Sequence, residues 1–167
     1  MDDEMIQVFT GDALRQMAGE RIAEAHEGFL LMSNGEAATL LPGMPIRAAE
    51  ALILLRQEAR HTFPIGVGNI LSPDGHRLGG WATIQCALLS PRRFVIHARE
   101  GLLAGESGET LLVRHAREAM RSAFESFSGS RTALWTNCQR QVANALLDWG
   151  WQLADFRPEQ VELSQEM

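Results

Sequence analysis

Lysine is absent from this chain, and so is tyrosine; all 15 basic residues are arginine. Without lysine there is no Schiff-base amine and no P-loop lysine. Without tyrosine no phenol can serve as a general acid. The arginine bias is what a GC-rich genome produces. Cysteine is scarce: Cys86 and Cys138 stand far apart. Two cysteines make neither a disulfide framework nor, alone, a zinc site, so both are expected as reduced core thiols. The five histidines (His26, His61, His76, His97, His115) show no ligand spacing, and no metal is expected. Apolar runs are all too short to span a membrane. The start, Met1-Asp2-Asp3-Glu4, is acidic where a signal peptide would be basic, so the expectation is a soluble cytoplasmic protein, not a secreted one. A formal net charge of −6 argues against nucleic acid as the main partner.

What is present is an ordinary globular composition, 46% hydrophobic and 22% charged over 167 residues. The most informative stretch runs from Ala104 to Phe127. A small loop, Ala104-Gly105-Glu106-Ser107-Gly108-Glu109-Thr110, leads into an amphipathic pattern. Leu112, Ala116, Ala119, Met120, Ala123, Phe124 and Phe127 recur at spacings of three and four and form one apolar face. A glycine loop at a helix start leaves backbone N–H groups free and aims the positive end of the helix dipole outward. It can cradle a phosphate. Equally, it is an ordinary loop with Ser107 or Thr110 as the N-cap.

Taken in order, Ile6–Phe9 reads as a strand, and Leu14, Met17, Ala18, Ile22 and Ala25 give helical spacing up to about His26. Asn34-Gly35 between apolar runs signals a hairpin or a helix cap and loop. Pro42-Gly43-Met44-Pro45 is a break, and a second helix is expected from Arg47 to about Arg60. Pro64–Leu71 and Arg77–Leu89 read as a hairpin around Ser72-Pro73-Asp74-Gly75, with Gly66, Gly68, Gly79 and Gly80 marking bulges or close backbone approach. Arg92–Ala98 is expected as a strand on Phe94-Val95-Ile96. After the central helix, ended by Ser128-Gly129-Ser130, come a strand at Ala133–Cys138, a helix at Gln139–Trp149 closed by Gly150, and a strand at Trp151–Phe156. The polar tail either adds a short strand at Val161–Leu163 or frays. This order gives an α/β class in α+β layered form, with one central sheet and a right-handed crossover between residues 92 and 138.

The second half resembles the GNAT superfamily of N-acyltransferases. The residues that carry the likeness are Phe63-Pro64-Ile65-Gly66-Val67-Gly68, the Trp81 strand, the Gly105–Gly108 loop with its helix, and Leu134-Trp135-Thr136-Asn137 through Gly150-Trp151. Within that family the look is nearest to divergent phage-encoded members, some of them internal virion proteins of podophages. The resemblance implies a central mixed, mostly antiparallel sheet flanked by helices in a single domain over 1–167. Residues 1–60 would supply the N-terminal strand and helices, 63–156 the sheet and cofactor cleft, and 157–167 the tail.

It also implies acetyl-CoA as cofactor. The pyrophosphate would lie against Gly105, Ser107, Gly108, Glu109 and Thr110, with Asn137 on the next strand. A backbone amide within Phe94–His97, at Ile96, would polarise the thioester carbonyl. His97 and Glu100 are the bases that would take the amine proton, and Cys138 a thiol acid. Arg92, Arg93 and Arg99 would meet a CoA phosphate. The substrate would be a small amine or a protein amine. Two departures favour another reading. Leu146 stands where the family places its tyrosine, and Glu106 and Glu109 bring negative charge to the loop. That second reading is a catalytically silent structural or interaction protein, whose partners are other virion or cellular proteins and whose place is the virion or the cytoplasm.

Overall fold

The structure is a computed structural model that describes residues 6–23, 26–32, 37–56, 60–71, 73, 75–126 and 131–165. Its elements in chain order are β1 (Ile6–Thr10), α1 (Gly11–Met17), β2 (His26–Leu31), β3 (Ala37–Leu40), β4 (Ala51–Arg56), β5 (Arg60–Leu71), β6 (His76–Leu88), α2 (Pro91–Leu103), α3 (Gly108–Glu125), α4 (Arg131–Asp148) and β7 (Trp151–Gln165). The class is α+β, as the sequence predicts. The strands form two sheets instead of one: a four-stranded sheet in the order β1-β4-β2-β3 and a three-stranded sheet in the order β5-β6-β7. The chain divides into two compact units, residues 1–59 with 88–108, and residues 60–87 with 109–167. No helix among the described residues is long and apolar enough to cross a membrane.

In the first unit every strand pairing is antiparallel. Register sorts the side chains. Phe9, Leu30 and Leu52 fall on one face, while Val8, Phe29 and Ile53 fall on the other. The Leu30 face packs on Leu14 of α1 and on Ile22 and Ile46. On the Phe29 face, β3 contributes Thr39 opposite Phe29, and the Arg92 guanidinium reaches the Thr39 hydroxyl at 3.4 Å. That contact puts α2 on this side, where it buries Phe94, Val95, Ala98 and Leu102. Because β4 lies between β1 and β2 with both faces covered, its sequence Ala51-Leu52-Ile53-Leu54-Leu55 carries no alternation.

That last point corrects one expectation: Arg47–Arg60 is not a helix, and Ala51–Arg56 is the sheet's inner strand. The helix expected on Leu14, Met17, Ala18, Ile22 and Ala25 up to about His26 stops at Met17. Gly19 turns left-handed (φ 91°), and the following residues extend. The Gly19 N–H donates to the Ile46 carbonyl and the Ile22 N–H to the Met44 carbonyl, both at 2.9 Å. Ile22 therefore enters the core from an extended segment.

The second unit pairs β5 with β6 antiparallel, as the hairpin signal predicts. Phe63, Ile65, Ala82, Ile84 and Cys86 share the buried face. The register shifts between Val67 and Ile70, where two residues of β5 oppose Gly79 alone. Asn69 takes φ 57° at the bulge and its side-chain oxygen accepts from Arg77 at 2.8 Å. A Cβ on Gly79 would stand 3.3 Å from the Val67 carbonyl oxygen, so the glycine marks close backbone approach. Both outer strands carry a proline, Pro64 in β5 and Pro158 in β7, in keeping with their edge positions. The Asn34-Gly35 turn and the Ser128-Gly129-Ser130 helix end lie outside the described residues. Backbone pairing continues through Val161–Leu163, within β7.

Two further expectations fail. Arg92–Ala98 and Ala133–Cys138 are helical, within α2 and α4, so the strand–helix–strand crossover between 92 and 138 does not exist. At α2, Ser90 is the N-cap, its hydroxyl accepting from the Arg93 N–H at 3.3 Å, and Pro91 takes the first helical turn. At α4, Leu134, Cys138, Val142 and Leu146 recur every four residues and are all buried. One helix accounts for that stripe better than a strand followed by a shorter helix.

Candidate functional site

The loop between α2 and α3 carries most of the expected cofactor residues, so its backbone is the place to begin. Gly105 takes φ 94°, a conformation only glycine adopts without strain. Its N–H donates to the Leu102 carbonyl at 3.2 Å, and the Glu106 N–H donates to the Gly101 carbonyl at 3.0 Å. Those two bonds are the Schellman pattern that closes a helix C-terminus. Gly105 is thus the cap of α2. Gly108, the first residue of α3, is buried, and a Cβ there would overlap the Ile6 side chain of β1. Its missing side chain makes room for Ile6.

The remaining predicted residues are distributed as follows. Ile96, His97 and Glu100 lie on α2, all exposed. The amides of Phe94–His97 sit inside a helix; that of Phe94 donates to the Ser90 carbonyl at 3.2 Å. The expected polarising amide at Ile96 is therefore part of the helical ladder instead of a splayed strand. Ser107 stands directly before α3, and Glu109 and Thr110 are exposed in its first turn. Glu109 Oε1 approaches His61 Nε2 to 3.4 Å. The nitrogen is buried and the contact lacks hydrogen-bond geometry. A carboxylate in the first turn also suits the helix dipole.

Asn137 is half-buried on α4, and its side-chain oxygen accepts from Arg140 at 2.7 Å. Cys138 is fully buried, and desolvation pushes its thiol from 9.0 up to about 12; Cys86 is displaced equally for the same reason. A thiol so placed holds its proton and packs. Ile96, His97, Glu100, Gly105, Ser107 and Gly108 belong to the first unit; Glu109, Thr110, Asn137 and Cys138 belong to the second.

A groove of about 400 Å³ lies between α3 and α4. His115, Glu118, Ala119 and Ser122 line it from α3; Gln141, Asn144, Ala145 and Asp148 line it from α4. Each set follows the i, i+3, i+4, i+7 pattern of one helix face. His115 stacks on Trp149 (centroids 4.1 Å apart, planes at 13°), and its Nε2 lies 2.8 Å from the Ala145 carbonyl oxygen. A carbonyl can only accept, so Nε2 carries the hydrogen. The imidazole thereby ties α3 to α4. Around it the groove offers two carboxylates, two amides and a hydroxyl: a hydrogen-bonding, acidic surface. Both walls lie inside helices that the sequence predicts, the amphipathic one through Leu112–Phe127 and Gln139–Trp149, but nothing in the sequence pairs the two faces. Among the described residues, no cluster of three or more histidine, cysteine, aspartate or glutamate side chains is placed to hold a metal. Comparison of the chain with protein-family models and with curated proteins finds no match.

Proposed function

We propose that this chain is a catalytically silent structural or interaction protein that works as one component of a larger assembly. The observation that carries the reading is the use of the 105–108 glycines. Gly105 closes α2 and Gly108 accommodates Ile6, so both have structural tasks that need no pyrophosphate. The helical state of Arg92–Ala98 and Ala133–Cys138 points the same way, since an acyl-CoA slot of the expected kind would lie between two strands there.

The test is titration of the full chain with acetyl-CoA, read by calorimetry and by thermal shift. The expected outcome is no heat and no change in Tm at millimolar acetyl-CoA. Micromolar binding that Gly105→Leu abolishes, in a variant still folded by circular dichroism, would reverse the reading in favour of an acyltransferase.

A further inference from the structure

We propose that the groove between α3 and α4 docks an arginine-bearing segment of a partner protein. The proposal rests on the interaction reading above and names its surface. The residues that line the groove all belong to the second unit. Its walls are preset, because His115 Nε2 donates to the Ala145 carbonyl and ties the two helices. Glu118 and Ser122 face the groove from α3, and Gln141, Asn144 and Asp148 face it from α4. Among the described residues, none of these five side chains has a hydrogen bond or an ion pair. The arginines of the same helices do not neutralise the two carboxylates. Arg114, Arg117 and Arg121 lie beyond Glu118 on the side of α3 away from Ala119 and Ser122. Arg121 reaches Glu125 at 3.9 Å, and Arg140 is bonded to Asn137.

The charge and the openness of the groove select the occupant. Asp148 is the last residue of α4, and the last turn of that helix carries no basic side chain. A carboxylate at the negative end of a helix dipole works against the helix that carries it. A local rule broken in this way is expected where a side chain serves a partner instead of its own fold. One carboxylate stands on each wall, with amide oxygens and a hydroxyl between them, so the groove is rich in acceptors. A guanidinium answers that set best: it carries five N–H donors in a fixed fork and pairs with a carboxylate through two bonds at once. The same charge repels nucleic acid and anionic membranes. None of the eight lining residues is fully buried. Sites for free small molecules enclose most of the ligand surface, which so open a groove does not do. The cation therefore arrives on a chain that covers it, and electrostatic attraction to a protein of net charge −6 favours a basic partner.

The probe is a synthetic fluorescein-labelled peptide of about ten residues, glycine and serine around a central pair of arginines. It is titrated with the full chain and followed by anisotropy. Saturable binding with a Kd of about 10–100 µM is expected at about 0.05 M NaCl, weakening as NaCl rises to about 0.5 M. Glu118→Gln and Asp148→Asn should each weaken it about fivefold or more. Glu100→Gln, at an exposed carboxylate of α2, should leave it unchanged. Asp148→Asn should not lower Tm, because it relieves the negative end of α4, so its loss of binding is not loss of fold. The same peptide with citrulline for arginine keeps the shape without the charge and should not bind. Absence of binding at millimolar peptide, binding indifferent to Glu118 and Asp148, or equal binding of the citrulline peptide overturns the proposal. Tighter, Asp148-dependent binding of free agmatine overturns it in favour of a small-molecule site. Asp148-dependent self-association in sedimentation overturns it in favour of a second copy of this chain. Acetyl-CoA is titrated into the same samples. Its binding would remove the interaction reading itself, whereas failure of peptide and acetyl-CoA together removes only this docking groove.

Discussion

Gly108 and Ile6 illustrate how a single missing methyl group can be read as chemistry or as packing. The two residues are far apart in sequence and in contact in the first unit, with the Ile6 side chain occupying the space a Cβ would need. Gly108→Ala should therefore destabilise the protein by about 1–3 kcal/mol through overpacking. Ile6→Val alone should cost about 1 kcal/mol. Together they should cost less than their sum, with a coupling of about 1 kcal/mol, because the valine lacks the methyl that collides. Urea unfolding of the four proteins measures this, and strict additivity would show that the contact is not what requires glycine.

The thiols give a second prediction at the same scale. The unfolded chain releases the Cys86 and Cys138 protons near pH 9.0, while the folded chain holds them to about 12. Their contribution to stability is complete below pH 9.0 and is lost progressively as pH rises towards about 12, because the unfolded state binds fewer protons there. The slope is at most about 1.4 kcal/mol per pH unit for each thiol. With lysine and tyrosine absent and arginine always charged, no other side chain titrates in that window. Stability measured between about pH 8 and about pH 10.5 should fall with pH in the natural protein and much less in Cys86→Ala/Cys138→Ala. Equal slopes would place the thiols in water.

At the scale of elements, legibility followed the periodicity of the apolar residues and failed where two periods fit. The hairpin of Pro64–Leu71 and Arg77–Leu89 is plain in the sequence because turn residues separate its strands and its buried residues alternate. Its glycines were also read for the right reason, as a bulge and a close approach at Gly79. β4 reads as a helix in the sequence because Ala51–Leu55 is wholly apolar and rich in good helix formers. A strand covered on both faces loses the alternation that would identify it.

α2 misleads in the opposite direction. Phe94-Val95-Ile96 has strand composition, yet Phe94, Val95, Ala98 and Leu102 mark a helical face, and Ser90-Pro91 was a helix start signal read as a strand end. In α4 the stripe through Cys138 was cut in two by a preference for strand at Leu134-Trp135-Thr136. These three elements decide the candidate site. The strand reading of α2 supplied the expected polarising amide and the base positions, and with α2 as a helix those residues become parts of a surface. The groove lined by His115 and Asp148 is illegible for a different reason: both walls lie in helices that the sequence predicts, but periodicity does not say which two helix faces meet.

At the scale of the molecule, the chain enters its first unit, leaves it at residue 60, returns at 88 and leaves again at 108. The departure is a hairpin whose ends meet: Arg60 pairs with Ala87 across β5 and β6. Paired antiparallel residues lie about 5 Å apart, so the excursion can be removed and the ends rejoined by a short glycine-serine linker. What remains after truncation at Gly108 retains the whole four-stranded sheet, α1, α2 and the Gly105 cap. The core cluster from Leu14 to Leu52 lies entirely within the first segment, and the second face is covered by α2 from the returning segment. Both faces of the sheet thus keep their cover. The excised chain should unfold cooperatively on heating and give a dispersed amide spectrum, with lower stability than the full protein because a small core buries a smaller share of its surface. The same chain ended at residue 59, without α2, should not, because Phe29 and Ile53 would then face water. A collapsed but non-cooperative product from the longer variant would mean that the first unit needs the second to fold.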